Sequence, residues 1–164
     1  MKPFLFLLAI SVATLNIASC AAQDETPELW KGPEDAKEVT APGEIDKDAK
    51  KEFTTTGTGL KYRILRKGDE NKKPEATDQV TVHYKGWLDD KSIFDSSYQR
   101  GETISFPLNG VIKGWTEGMQ LVGQGGMIEL EIPAELGYGA RGTPGGPIPP
   151  NAKLHFLVEL FEVN

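Results

Sequence analysis

One glycine-rich stretch has the spacing of a site that could bind phosphate. The segment from Gly137 to Gly142 reads G-Y-G-A-R-G, which fits a G-x-G-x-x-G motif. A phosphate cradle of this type needs a helix that opens at the last glycine, because helical N–H groups then face the phosphate. Here the chain continues through prolines, which lack an N–H donor and disfavour helical geometry in the residue before them: Pro144, Pro147, Pro149 and Pro150. The stretch is therefore predicted to be a stiff loop that carries Tyr138, and the nucleotide interpretation fails.

No side chains have the spacing of a metal site or of a covalent catalytic site. His83 and His155 each lie in a predicted strand without a neighbouring cysteine, so we interpret them as ordinary strand residues. The serines that follow Asp95 have no positioned base. Glu129 and Glu131 share one face of a predicted strand, and we interpret them as a solvated edge. The sequence therefore predicts no metal and no cofactor.

The remaining candidate chemistry is an apolar pocket. Aromatic and branched residues occur at irregular points that a regular core pattern does not require: Tyr84, Phe94, Ile104, Val111, Ile112, Trp115, Tyr138, Ile148 and Phe156. Taken singly, each is more often plain core than pocket lining. A tryptophan directly after Gly114 and a tyrosine between two glycines are harder to explain in that way. A curled sheet over one helix can bring such residues together around an apolar ligand.

Several strands and one helix must position these residues. Apolar and polar residues alternate in four segments, each predicted to be a strand with one buried face: Leu60–Ile64, Val80–Tyr84, Ile128–Ile132 and Leu154–Leu160. Val111–Leu121 is the best helix candidate, although Gly114 and Gly118 weaken it. Many strands with one helix predict an α+β fold, in which a curled antiparallel sheet of about five to six strands wraps over one short helix.

The N-terminal residues are predicted to be a targeting signal. Lys2 precedes an apolar run, Phe4–Ile10, that is too short to span a bilayer, so residues 1–19 are interpreted as a secretory signal peptide. The signal ends in the letters IASC, which resemble a bacterial lipobox, and Cys20 is the single cysteine of the chain. We predict that Cys20 is lipidated and anchors the protein outside the cytoplasm, in the periplasm or cell envelope. The alternative is a leftover cysteine in a signal that another peptidase cuts one or two residues later.

Charge and hydrophobicity set the domain boundary and limit the partners. The chain has 18 basic and 24 acidic residues, a net charge of −6, which disfavours nucleic acid and anionic lipid surfaces as partners. Residues 20–56 are rich in charge, proline and glycine, so they are predicted to be a flexible charged tether. The folded domain is then expected over residues 57–164. No long apolar-periodic helix precedes it, which favours a monomer.

Five short blocks occur in order along this domain: VHYKG at 82–86, FDSS at 94–97, VIKGW at 111–115, YGARG at 138–142 and IPPN at 148–151. Together with Phe156 in the last strand, they resemble the FKBP (tacrolimus-binding) peptidyl-prolyl cis–trans isomerases. The resemblance covers about residues 59–164, and it is specific because five ordered blocks carry it. It implies an FKBP-like fold and an isomerase activity that needs no cofactor.

The resemblance also implies a catalytic role for the residues of the pocket. Trp115 corresponds to the floor on which a prolyl ring sits, and Asp95 to the carboxylate at the pocket edge. Tyr138 corresponds to a phenol that donates to a substrate carbonyl. The aromatic walls correspond to Tyr84, Phe94 and Phe156.

A second group of residues is expected to contact the substrate. Arg100 matches the basic residue that pairs with the carboxylate at the pocket edge. Val111 and Ile112 match the start of the helix, where the backbone N–H of Ile112 would receive a ligand carbonyl. Ile148 lies where a flap residue covers the pocket, and Ile104 stands where an aromatic side chain is common.

The implied activity is rotation about the peptide bond before proline. The predicted substrates are unfolded or partly folded exported proteins that contain proline, and macrolides similar to tacrolimus are candidate ligands. A non-catalytic proline-binding module or holdase chaperone is the alternative. Retention of Trp115, Tyr138, Phe94 and Asp95 together favours the enzyme.

Overall fold

One antiparallel sheet forms the frame of the protein. The structure, a computed structural model, describes residues 38–164. The predicted signal peptide and Cys20 lie outside the described residues. The strands are β1 Thr54–Thr55, β2 Lys61–Arg66, β3 Gln79–Trp87, β4 Ile93–Ser96, β5 Ile104–Pro107, β6 Met127–Ile132 and β7 Leu154–Val163. Their order across the sheet is β1-β2-β6-β7-β3-β4, with β5 also paired to β3, and every pairing is antiparallel.

The described part of the chain confirms the predicted α+β fold and has slightly more strands than predicted. The four strands predicted from alternation are the long ones, β2, β3, β6 and β7. The others span only two to four residues each. A strand of that length shows too few alternations for the pattern to be detected in the sequence.

Within residues 38–164, two short α-helices accompany the sheet, α1 Ser97–Arg100 and α2 Lys113–Met119. Single-turn 3₁₀ helices occur at Leu108–Gly110, Ala134–Leu136 and Gly139–Arg141. Helix α2 is the predicted helix, shortened at both ends.

The two glycines of α2 allow the helix backbone to lie directly on β6. A Cβ atom at Gly114 would lie 2.5 Å from Cγ2 of Ile132, and one at Gly118 would lie 2.7 Å from Cδ2 of Leu130. Glycine is unfavourable within a helix because it loses the most backbone freedom on folding. Here the close contact with β6 offsets that loss. The residues that weaken the helix in the sequence are therefore those that fix its position on the sheet.

The sheet has two differently packed faces. The inner face, which packs against α2, holds the main apolar core, built from the alternating residues of the four long strands together with Trp115 and Met119. The outer face holds a smaller cluster of Leu65, Trp87, Met127 and Leu157.

A segment of residues 38–53, here called the strap, lies across the outer face. The N–H of Asp46 donates to the carbonyl of Leu65 (2.8 Å), and Ile45 and Ala49 pack against the smaller cluster. The tether predicted over residues 20–56 is therefore corrected for its described part, which is docked on the domain. The strap docks mainly through polar contacts. The tether was predicted from the low apolar content of the segment, and apolar content gives no information about polar contacts.

Buried ion pairs lie beneath and beside the strap. Arg63 and Glu129 pair at 2.6 Å with side chains about one-tenth exposed or less. The prediction of a solvated edge at Glu129 is therefore wrong. Burial raises the pKa of Glu129, and the charge of Arg63 opposes that shift. Lys85, whose side chain is almost fully buried, pairs with Glu38 of the strap.

The two histidines take part in local polar contacts. His83 is buried and shares a hydrogen bond of 2.8 Å with the hydroxyl of Ser97, while His155 contacts Asp89 at 2.7 Å. Across residues 38–164, no group of three or more histidine, cysteine, aspartate or glutamate side chains could hold a metal ion. Within the same range, no helix is long and apolar enough to cross a bilayer.

Candidate functional site

A cavity of about 430 Å³ opens beside the inner face of the sheet. Strands β3, β4, β5 and β7, the start of α2 and the glycine-rich loop all contribute to its wall. The lining is largely apolar and aromatic: Tyr84, Phe94, Asp95, Ile104, Phe106, Gly110, Val111, Ile112, Trp115, Tyr138 and Phe156. A cavity of this size and composition suits a small apolar group such as a prolyl ring and the residue that precedes it.

Trp115 forms the floor of the cavity and is held by aromatic contacts. Its ring centroid lies 5.3 Å from that of Tyr84 and 5.2 Å from that of Phe156, and both neighbours meet it edge to face. Phe106 lies at 5.4 Å in a tilted arrangement. Because the indole is only 5% exposed and has rings on several sides, it has little freedom to move. The cavity therefore has a rigid apolar base before any ligand arrives.

Close packing at Gly86 brings two of the walls together. The rings of Phe94 and Phe156 meet edge to face with centroids 5.4 Å apart. A Cβ atom at Gly86 would lie 2.5 Å from Cζ of Phe94 and 2.7 Å from Cε1 of Phe156. Any larger residue at this point of β3 would displace both rings, so glycine is required by the approach of the side chains.

Three polar side chains form the rim on the side of β4. The hydroxyl of Tyr84 donates to Oδ2 of Asp95, and Arg100 pairs with the other carboxylate oxygen at 2.6 Å. A second guanidinium nitrogen of Arg100 donates to the hydroxyl of Tyr84 at 3.2 Å. We call these three residues the polar rim.

The contacts of the polar rim also shift the pKa values of Tyr84 and Arg100. Burial, reinforced by the hydrogen bond to Asp95, raises the pKa of Tyr84 to about 12. The hydrogen bonds to Asp95 and Tyr84 raise the pKa of Arg100 above its ordinary value. Near neutral pH the phenol is therefore a donor and the guanidinium is charged, so the rim presents a fixed arrangement of charge.

Two hydrogen-bond donors at the cavity have no partner within residues 38–164. One is the backbone N–H of Ile112, a residue in extended conformation (φ −62°, ψ 148°) immediately before α2. The other is the hydroxyl of Tyr138, whose side chain is 42% exposed. Unpaired donors beside an apolar cavity can bind the carbonyl groups of an incoming peptide.

Comparison with known proteins agrees with this geometry. The family model described as FKBP-type peptidyl-prolyl cis-trans isomerase matches residues 70–161. The chain belongs to this family. Its similarity to the FKBP-type isomerase FkpA of Escherichia coli (strain K12) is 51% identity over 109 residues, which are 66% of this chain and 39% of FkpA. The FKBP-type 22 kDa isomerase of the same strain is 48% identical over 120 residues, which are 73% of this chain and 57% of that protein.

Solved FKBP structures have the same fold. The crystal structure of FkpA from Escherichia coli matches with a TM-score of 0.65 and 50% identity, covering 68% of this chain and 51% of that one. The crystal structure of AtFKBP13 matches with a TM-score of 0.64 and 34% identity, covering 69% of this chain and 99% of that one. The chain thus spans between two-fifths and three-fifths of the two bacterial relatives, but nearly all of AtFKBP13.

Most residues selected from the FKBP resemblance lie together at the cavity. Nine line it: Tyr84, Phe94, Asp95, Ile104, Val111, Ile112, Trp115, Tyr138 and Phe156. Arg100 is not part of the lining but contacts Asp95 and Tyr84 in the polar rim. Ile148, predicted to cover the pocket, is not part of the lining; like Trp115 it is 5% exposed and packs in the apolar core.

The glycine-rich loop holds Ile148 in that place. The N–H of Thr143 donates to the carbonyl of Ile148 (2.9 Å), and the N–H of Ile148 donates to the hydroxyl of Thr143 (3.0 Å). Gly142 directly follows the short 3₁₀ turn and precedes Thr143. Its φ of +58° favours glycine. A 3₁₀ turn, Gly139–Arg141, lies within the G-x-G-x-x-G motif, and no helix opens at its last glycine, Gly142. The structure thus agrees with the rejection of a phosphate cradle.

Two lining residues were not selected from the sequence, Phe106 and Gly110. Phe106 lies two residues after Ile104 in β5, so alternation along that strand would have placed it on the same face. Gly110 carries no side chain, and nothing in its residue type marks it as part of a site.

Proposed function

We propose that this FKBP protein is a peptidyl-prolyl cis–trans isomerase that accelerates the folding of exported proteins. One observation carries the proposal: a rigid aromatic cavity floored by Trp115 has at its wall two donors, the Ile112 N–H and the Tyr138 hydroxyl, that have no partner in the described part of the chain. The names of the relatives, which are FKBP-type isomerases, support the same activity.

The reaction needs no nucleophile and no proton carrier. Rotation about a peptide bond has a barrier of about 18–20 kcal/mol because its partial double bond must be broken. For bonds before proline both isomers are populated, and their uncatalysed exchange takes tens to hundreds of seconds. A catalyst need only bind the twisted amide more tightly than either planar form.

The residues of the cavity suit that task. Contact with the indole of Trp115 would hold the prolyl ring while the preceding residue rotates. The apolar walls exclude water, which favours the twisted amide because it has less charge separation than the planar one. The Ile112 N–H and the Tyr138 hydroxyl are placed to hold carbonyl groups of the substrate, and fixed donors cost no reorganisation during the reaction.

Refolding of a protein whose slow phase is limited by proline isomerisation tests the proposal. The native chain should accelerate that phase at sub-stoichiometric amounts. A holdase or a proline-binding module without turnover would instead suppress aggregation near stoichiometry and leave the slow rate constant unchanged. Tacrolimus, which is expected to occupy the cavity, should inhibit the acceleration.

Variants locate the activity in the cavity. Trp115→Ala is expected to lower kcat/KM by about tenfold or more, and Tyr138→Phe by about threefold to tenfold, because each removes a transition-state contact. Tyr62→Phe is the matched control, because Tyr62 packs in the core outside the cavity. Unchanged activity in both cavity variants would overturn the site assignment.

The cellular location is part of the same proposal. The secretory signal predicted over residues 1–19 and the lipobox-like letters before Cys20 support a protein outside the cytoplasm that is anchored through lipid on Cys20. Mass spectrometry of the mature N-terminus would show an acylated cysteine. An unmodified N-terminus beyond Cys20 would contradict the anchor but leave the isomerase proposal intact. The domain division at residue 57 and the monomeric state remain predictions.

A further inference from the structure

Helix α1 connects the polar rim with the outer face of the sheet. It has only four residues, Ser97–Arg100, and a helix of that length is not stable by itself in water. Its last residue, Arg100, contacts Asp95 and Tyr84 in the rim. Its second residue, Tyr98, is fully buried. Contacts that fix the position of Tyr98 therefore also limit the positions that the side chain of Arg100 can take.

The strap caps the C-terminal end of this helix. The backbone N–H groups of Val39 and Thr40 both donate to the carbonyl of Tyr98, at 3.0 and 3.2 Å. The last carbonyls of a helix have no partner within the helix, so external donors at this position stabilise its end. Val39 also lies against Gly101, where a Cβ atom would come within 2.9 Å of Cγ1 of Val39.

A single buried carboxylate ties the strap to the side chain of Tyr98. Glu159 on β7 is 4% exposed. One of its oxygens accepts from the Tyr98 hydroxyl (2.6 Å) and from the N–H of Gly43 in the strap (3.0 Å). The other pairs with Arg66 at 2.8 Å, and Arg66 also donates to the carbonyl of Glu44 in the strap. The strap and α1 are thus held by a shared acceptor.

We propose that the strap is a positioning element of the isomerase site, which holds Arg100 against Asp95 and Tyr84 by fixing Tyr98. The proposal rests on the proposed isomerase function. Val39, Thr40 and Glu159 are positioning residues, because they do not line the cavity and act through α1. The strap therefore adds a contribution to catalysis from a segment outside the 70–161 family match.

A double-mutant cycle tests this coupling. Val39→Pro with Thr40→Pro removes both N–H groups that cap Tyr98. This pair should lower kcat/KM by about fivefold in the native chain and by less than about twofold in an Arg100→Ala background, because coupled sites are not additive. A loss of purely structural origin would have the same size in both backgrounds. Ala41→Pro is the matched control, because the N–H of Ala41 has no partner within residues 38–164.

Two further measurements cover the cases in which the strap variant unfolds or the native chain is inactive. Tyr98→Phe removes only the hydroxyl that reaches Glu159, and its loss in kcat/KM should also shrink in the Arg100→Ala background. By NMR, the guanidinium resonances of Arg100, assigned by their absence in Arg100→Ala, should shift and broaden in the strap variant and in Tyr98→Phe but not in Ala41→Pro. This readout does not depend on turnover.

The outcomes separate the two proposals. An inactive native chain overturns the isomerase function, whereas the NMR signals then still decide whether the strap positions Arg100. Equal losses in both backgrounds, or Arg100 resonances that do not change when the strap contacts are removed, overturn the positioning role.

Discussion

The two faces of the sheet use opposite kinds of chemistry. The inner face surrounds an apolar cavity whose donors at Ile112 and Tyr138 have no partner within residues 38–164. The outer face carries charged groups that are buried and paired, such as Arg63 with Glu129. An unpaired donor beside a cavity is available to a ligand, whereas a paired buried charge is costly to disturb. We therefore assign ligand binding to the inner face and stabilisation of the fold to the outer face.

The largest expected effect is on the outer face. Arg63→Met leaves the carboxylate of Glu129 buried without its partner, which should lower the free energy of unfolding by about 3–5 kcal/mol. Urea denaturation measures this change. Arg63 contacts the strap at Lys51, away from the Val39 and Thr40 contacts with α1, so kcat/KM for the proposed isomerase activity should stay within about twofold of the native value. A large loss of activity with little loss of stability would reverse the roles of the two faces.

The same variant has a characteristic pH dependence. Burial raises the pKa of Glu129 above its ordinary value of 4.5, and removal of Arg63 eliminates an opposing influence. A raised pKa means that the folded state binds the proton more tightly than the unfolded state, so its stability increases as the pH falls. The destabilisation of Arg63→Met should therefore be largest at neutral pH and should shrink towards pH 4.5. Lys67→Met, which breaks the exposed pair with Asp48, is the control and should show no such recovery.

A smaller effect is expected where the helix meets the inner face. Gly114→Ala places a Cβ atom against the side chain of Ile132, and such overpacking typically costs about 1–3 kcal/mol. Alanine recovers up to about 1 kcal/mol in helix propensity, so the net loss of stability is modest. We expect kcat/KM to fall by about tenfold despite this modest loss of stability, because Trp115 is the next residue and must shift with the helix. Lys113→Ala, at an exposed position of the same helix, should leave both quantities nearly unchanged.

The smallest effect is expected at the polar rim, which helix α1 connects with the outer face. Tyr84→Phe removes the hydroxyl that contacts Asp95 and Arg100 but leaves the salt bridge between those two residues. We expect a loss of about 1 kcal/mol in stability and about threefold in kcat/KM. Because the Tyr84 pKa is raised to about 12, the folded state loses this residue's contribution only as the pH rises from 10 to 12. Absorbance titration should show one late-ionising phenol fewer in the variant, and an unchanged titration curve would contradict the geometry of the rim.

The sequence allowed prediction of the inner face in detail because that face depends on local patterns. Alternation in β2, β3, β6 and β7 gave the core, and the FKBP resemblance gave nearly all of the cavity lining. Ile148 packs in the core, and its role as a residue that covers the pocket remains a prediction. Two lining residues, Phe106 and Gly110, were missed.

The outer face was not predictable in the same way. Its contacts join residues far apart in the chain: Gly43 and Glu159 are 116 positions apart, and Arg66 and Glu159 are 93. A charged residue such as Glu38 or Glu129 has the same appearance in a sequence whether it is solvated or paired in the interior. Composition therefore predicted a tether for residues that form the strap.

The docking of the strap also changes how the domain would respond to mechanical force. If Cys20 is the point of attachment, the chain between it and the first docked residue cannot span more than about 65 Å even when fully extended. Tension along that segment would enter the domain at Glu38, which pairs with Lys85, and then at Val39 and Thr40, whose N–H groups are bonded to Tyr98. The load would then fall on α1, beside Arg100, and reach β1 only after the strap had detached. A domain attached in this way would lose the alignment of Arg100 with Asp95 before it lost its fold.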